Sequence, residues 1–134
     1  MELEPYLSFN GNCEEALAFY SEVFGGEVTA LNRYAGSPMA ESLPPEAGNK
    51  IMHSNFKSPT LKFMASDNVH QYEPAGNVSL SLGTKDQDEA KRVFGKLSEG
   101  GTVGMPLQDT FWGALFGMVT DKYGIYWLMN CEKS

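Results

Sequence analysis

The chain has 134 residues, 42% of them hydrophobic and 20% charged, with 17 acidic side chains against 10 basic ones and a formal net charge of −7. That length suits one compact domain that buries about two-thirds of its unfolded surface, and the composition excludes a disordered chain. The acidic balance excludes a nucleic-acid partner, whose phosphates need a face rich in Lys and Arg, and offers nothing to an anionic membrane.

Taken in chain order, Glu4–Phe9 alternates Tyr6 and Ser8 against Leu7 and Phe9, the period-2 pattern of a strand. Asn10-Gly11-Asn12 is a turn with Asn12 as the expected helix N-cap, and Glu14 and Glu15 favour the first helical turn. The helix runs to about Phe24, burying Leu17, Tyr20, Val23 and Phe24, and Gly25-Gly26 stops it. A strand at Glu27–Tyr34 is followed by a Gly- and Pro-rich loop, Ala35–Asn49, read as a cover or dimer arm. Strands at Lys50–Lys57 and Thr60–Ser66 close the first half.

Asp67–Gly76 links the halves, so that one domain, 1–134, divides into module 1 (1–66), a linker (67–76) and module 2 (77–134). The second half repeats the order: a strand at Asn77–Leu82, then a helix from about Asp86 to Glu99. Ala90, Val93, Phe94 and Leu97 make one apolar stripe on that helix. Strands at Thr102–Leu107, Ala114–Thr120 and Ile125–Asn130 follow.

The halves share words as well as order. Leu7-Ser8 recurs as Leu80-Ser81 at an offset of 73, Glu15-Ala16 as Glu89-Ala90 at 74, and Gly25-Gly26 as Gly100-Gly101 at 75. The fold class is therefore α+β, with two pseudo-symmetric βαβββ modules that must pair to bury a helix and a sheet each.

No apolar stretch approaches the roughly 20 residues of a membrane span. The start, Met1-Glu2-Leu3-Glu4-Pro5, lacks the basic and apolar regions of a signal peptide, so a cytoplasmic location is expected. Cys13 and Cys131 are then two free thiols. Cys13, at a helix start, is the one whose pKa a helix dipole would lower, although a structural role is expected for it.

The stretches Pro5–Asn12, Glu15–Tyr20, Phe24-Gly25, Pro106–Gly113, Phe116-Gly117 and Thr120–Gly124 with Trp127 resemble the glyoxalase/bleomycin-resistance/dihydroxybiphenyl-dioxygenase group, the vicinal oxygen chelate superfamily. Within it the chain is similar to the PhnB-like branch, and the resemblance covers nearly the whole chain. It implies modules whose mixed sheets curve around a cleft, assembled as homodimers. Metal-using members of the superfamily carry a ligand on the first and last strand of each module. Those positions fall here on Glu4, Met64, Asn77 and Leu128. One carboxylate, an amide, a thioether and a hydrocarbon do not make a hard divalent site, so no metal and no cofactor are expected. The branch also carries a ubiquinone-methyltransferase name. Against it, the sequence has no Gly-x-Gly-x-x-Gly turn after a strand.

Alternation turns Glu4, Tyr6, Ser8, Asn77, Ser79 and Ser81 toward the cleft, together with Tyr126, Leu128 and Asn130, while Ile125, Trp127 and Met129 face the core. Such a lining suits a small, partly apolar organic ligand, and Lys62 is a candidate counter-charge. Gln108 and Trp112, in the segment Gln108–Gly113, read as a ligand lid or a dimer contact. His53 is a candidate general base with Tyr6 or Tyr126 as proton donor, whereas His70 is read as solvated in the linker. The function expected is binding of a small molecule without the superfamily metal. Alternatives are a metal-dependent lyase, isomerase or dioxygenase with unusual ligands, and a metal-free enzyme built on His53.

Overall fold

A computed structural model describes residues 1–38, 40–68 and 76–133. His70, Met39 and residues 69–75 of the expected linker lie outside the described residues. The chain divides into two compact units, Met1–Glu73 and Pro74–Ser134.

Unit 1 contains β1 (Tyr6–Phe9), α1 (Cys13–Phe24), β2 (Glu27–Arg33), β3 (Ile51–Lys57) and β4 (Lys62–Asp67). Its sheet has the order β1-β4-β3-β2, with β1 and β4 parallel and the other pairs antiparallel. The core is aromatic. Tyr20 of α1 meets the Phe63 ring at 5.8 Å, edge to face, and Phe63 stacks on Phe56 at 4.7 Å. Unit 2 repeats the plan with β5 (Leu80–Thr84), α2 (Gln87–Ser98), β6 (Thr102–Asp109), β7 (Ala114–Thr120) and β8 (Tyr126–Glu132), ordered β5-β8-β7-β6. Each unit thus folds as βαβββ around its own four-stranded mixed sheet.

The glycine pairs explain how each helix hands over to the next strand. Gly25 and Gly100 both have φ of +72°, which only glycine adopts cheaply: Gly25 is the left-handed cap of α1, whereas α2 is capped by extended Glu99 and Gly100 takes the turn that follows it. The second glycine of each pair lies against the neighbouring strand. A Cβ on Gly26 would come within 2.4 Å of the Phe56 ring, and one on Gly101 within 2.3 Å of the Thr120 carbonyl oxygen.

Strand pairing corrects the repeat as read from words. Carried across each sheet through Val28–Phe56–Phe63 and Val103–Val119–Trp127, the ladders make Met64 the counterpart of Leu128. Tyr6 pairs with Met64 and Ser81 with Leu128, so Tyr6 answers to Ser81, with the same spacing of 75 as Gly25 and Gly100. The Leu7-Ser8 and Leu80-Ser81 match is two residues out of step. Two residues is one full pleat period, so the division into core and open faces survives.

Other boundaries shift too. The strand expected at Asn77–Leu82 begins at Leu80, leaving Asn77 and Ser79 ahead of it, and Gln108 belongs to β6, not to a loop. Within Ala35–Asn49, expected as plain loop, short 3₁₀ turns form at Ala40–Ser42 and Pro45–Asn49. Asn12 makes no side-chain cap bond. The first amide of α1, from Cys13, donates instead to the Asp67 carboxylate at 2.8 Å, whose other oxygen accepts from Ile51 N–H at 2.9 Å. Asp67 therefore pins the start of α1 to the start of β3 from the end of β4. No helix among the described residues is long and apolar enough to cross a membrane.

Candidate functional site

Alternation along the strands gives each sheet a helix-packed face and an open one. In unit 1, Leu7, Phe9, Ser54, Phe56, Phe63, Ala65 and Asp67 are buried, whereas Tyr6 and Ser8 are exposed and His53, Asn55, Met64 and Ser66 are half-buried. Strand β4 runs between β1 and β3, so Tyr6 and His53 lean toward each other across it. Their rings lie 5.8 Å apart, and the Tyr6 hydroxyl is 3.4 Å from His53 Nδ1. Asn32, directly across from His53 on β2, and Asn55, two residues along β3, share that face. Extending the same alternation to β3 would have found Asn55 from the sequence; Asn32 needed the register.

In unit 2, Tyr126, Leu128 and Asn130 are half-buried on the open face, alternating with buried Trp127, Met129 and Cys131. Tyr126 stands beside the segment that enters β5, its hydroxyl 3.3 Å from where a Cβ on Gly76 would be. Asn77 and Ser79 are exposed in that segment. Gln108 lies directly across from Phe116, and Trp112, in the turn after β6, meets the Phe116 ring at 5.9 Å. The structure thus brings His53 to Tyr6 in unit 1, and gathers Gln108, Trp112 and Asn130 around Phe116 in unit 2.

The remaining polar groups are largely committed to structure. Asp121 accepts from the backbone N–H groups of Tyr123 and Ile125 and from the Trp127 indole N–H at 2.8 Å. Burial, followed by the nearby negative charge of Asp67, pushes the Cys13 thiol up to about 12. The helix dipole does not win, and Cys13 lies fully buried in the core. Burial also raises the Tyr34 phenol, with smaller contributions from Tyr6 and Asp67. Lys62 pairs with Glu2 at 3.2 Å, and that bond raises its pKa.

Two adjoining pockets of about 440 and 340 Å³ lie at the start of α1 and share Gly11, Lys50 and Asp67. Their cations are already engaged: Arg33 holds Glu14 and the Asn49 carbonyl, and Lys50 donates to the Gly11 carbonyl at 2.9 Å. A third pocket, of about 250 Å³, contains Asn130 and lies at the open face of unit 2. The open faces, with uncommitted polar groups, are therefore the better candidate than the larger hollows.

The donor set at the superfamily's metal positions does not fit a divalent ion. Met64 offers a thioether and Leu128 no donor at all. Across from them stand the Tyr6 and Ser81 hydroxyls, and Asn77 is not in the strand. Among the described residues no three His, Cys, Asp or Glu side chains cluster as metal ligands.

Comparison with known proteins places this geometry. A profile of the 3-demethylubiquinone-9 3-methyltransferase family matches residues 1–130. Protein YjdN of Escherichia coli (strain K12) is 35% identical over 148 residues, covering 99% of this chain and 97% of YjdN. The crystal structure of protein PA1353 from Pseudomonas aeruginosa superposes with a TM-score of 0.88 at 42% identity, over 100% of this chain and 99% of that one. A PhnB protein from Bacillus cereus gives a TM-score of 0.82 at 28% identity, over 98% and 99%. The glyoxalase/bleomycin resistance fold itself persists in solved structures at 11% and 16% identity. Methyl transfer, which the family description names, needs a methyl-donor cofactor. Gly25 closes α1 and Gly100 lies in the turn after α2, so neither opens a helix, which is the wrong polarity for a nucleotide cradle.

Proposed function

Since the chain belongs to the 3-demethylubiquinone-9 3-methyltransferase family, in its PhnB-like branch, we propose that it binds a small, partly apolar organic molecule on the open faces of its sheets, without the divalent metal of the wider superfamily. The observation that carries this reading is the open face of unit 1. There Tyr6 and Asn55 flank Met64, Ser8 stands beside Ser66 and His53 meets Tyr6, and none of these residues is buried in the core. Hydrogen-bonding tips beside an apolar floor are what a small-molecule site requires. Asn77, Ser79, Gln108, Trp112, Tyr126, Leu128 and Asn130 are the contacts assigned to unit 2. The chain would work in the cytoplasm, which cell fractionation tests, and as a homodimer, a reading supported by the exposed Phe111 and Val103 and tested by sedimentation.

Two measurements test the proposal. Protein purified without a histidine tag and titrated with Ni²⁺, Mn²⁺, Zn²⁺ and Fe²⁺ should bind none more tightly than about millimolar, roughly 4 kcal/mol. One ion per chain at micromolar affinity would overturn the metal-free part. In ¹H–¹⁵N spectra, members of a fragment library should shift signals on the open faces, and Tyr6→Phe or His53→Gln should abolish the unit 1 shifts.

The Tyr6–His53 contact favours a second reading, a metal-free enzyme in which His53 takes a proton and Tyr6 supplies one. It requires turnover with a bell-shaped pH profile that His53→Gln flattens. Tight binding without turnover decides for the binder.

A further inference from the structure

Phe116 sits in the middle of one rung of the unit 2 sheet, with Gln108 of β6 on one side and Asn130 of β8 on the other. Gly83 of β5 follows Asn130 on the same rung. Side chains on a rung project to one side of the sheet, here the side away from α2. The alternate residues Leu115, Gly117 and Cys131 are buried, and a Cβ on Gly117 would meet the α2 residue Phe94 at 2.7 Å. The open row therefore runs carboxamide, phenyl ring, carboxamide, gap.

Trp112 walls the row. Its ring crosses that of Phe116 at 69° and remains 55% exposed. The gap is real space, because Gly83 forms a pocket of about 250 Å³ with Thr84, Lys85, Asn130 and Glu132. Neither the Gln108 nor the Asn130 carboxamide has a hydrogen-bond partner among the described residues. A carboxamide offers a donor and an acceptor in one plane. Two of them, unpaired beside aromatic rings, are matched by a flat molecule whose edge alternates acceptor and donor while its face lies on the rings. Lys85 and Glu132 at the pocket cancel in charge, and the chain as a whole is acidic, so neither selects an anion.

Resting on the reading of the open faces as a small-molecule site, we infer that the Gln108–Phe116–Asn130 row recognises an uncharged planar ring bearing an amide or imide edge, such as a lactam fused to an aromatic ring, with one end of the ring system in the Gly83 gap. The test titrates isoindolin-1-one, indane and benzoate, each to about 10 mM, while the side-chain amide signals of Gln108 and Asn130 and the Trp112 indole signal are followed.

Isoindolin-1-one should shift all three signals and bind about tenfold or more tightly than indane, the effect of one well-made hydrogen bond or more. Gly83→Val should weaken it by a similar factor with the fold intact, because a Cβ there meets only the Asn130 carbonyl oxygen, at 4.0 Å. Equal binding of indane, preference for benzoate, or indifference to Gly83→Val would overturn the inference. Shifts confined to the Tyr6–His53 face would overturn it while leaving the binding role standing. Silence of both faces to all three probes would count against both.

Discussion

The two units share a frame and differ in how they lock it. In unit 1 the buried carboxylate is Asp67, which joins the start of α1 to the start of β3. In unit 2 it is Asp121, which organises the turn between β7 and β8 and holds the Trp127 indole. The helix starts differ accordingly. Asp86 caps α2 from within, accepting from Asp88 and Glu89 N–H, whereas α1 has no side-chain cap of its own and relies on Asp67. The open faces diverge in the same way, Tyr6 and His53 in one unit against Phe116 and two carboxamides in the other. Glycine-set geometry is what repetition kept, and the polar locks and exposed chemistry are what changed.

The largest effect expected from this contrast is on the locks. Asp121→Ala strands three donors and should cost about 3–5 kcal/mol, with Asp67→Ala, which strands two, somewhat less. Urea unfolding gives the sizes, and amide exchange gives the location: Asp67→Ala should expose the first turn of α1 and leave α2 protected. Equal loss of protection in both helices would break the distinction between the units.

The glycine frame comes next. Gly101→Ala drives a Cβ into the Thr120 backbone, so β6 and β7 must separate, at about 2–3 kcal/mol. Gly26→Ala meets mainly the Phe56 ring and should cost less, because a side chain yields more readily than backbone. The order of the two melting temperatures checks this.

Alkaline pH should reveal Cys13. Its folded pKa is raised, so its contribution to stability is complete below the unfolded thiol's pKa and is lost as pH rises from there toward about 12. The slope is at most about 1.4 kcal/mol per pH unit. Cys13→Ala should flatten that part of the stability profile, read from urea midpoints on either side of the ordinary thiol pKa. The smallest expected effect is the cap contrast. Asp86→Ala should cost about 1 kcal/mol, while Asn12→Ala, which removes no cap bond, should fall within about 0.5 kcal/mol of wild type.

Alternation and helix periodicity made the elements and their faces legible in the sequence, because both are local. What was missed was set at long range. Asn12 has the identity of a cap, but its role is taken by Asp67, 54 residues from Cys13 along the chain. The shared Leu-Ser words suggest one match of the first strands, whereas register follows pairing with β4 and β8, and Asn77 lies ahead of a strand that begins at Leu80. Gln108 reads as loop together with the Phe111-Trp112-Gly113 segment, yet it pairs within β6. The strand carries Pro106 through the irregularity between Met105 and Gln108, where a missing N–H costs nothing. Of the candidate site, His53 and Tyr6 were each named, but their meeting across β4 required the sheet order.

That sheet order also bears on how the chain is made. Each unit pairs its first strand in parallel with its last, β1 with β4 and β5 with β8. Neither sheet can close until its whole unit has been synthesised, and the pairing that closes it is strongly non-local, the kind that slows folding. But every strand of the first sheet has emerged once Asp67 has left the ribosome. At roughly 5–20 residues per second, the first unit has seconds in which to close before the last strand of the second is translated. Synthesis in this order keeps the unfinished sheet edges of one repeat from competing for strands of the other.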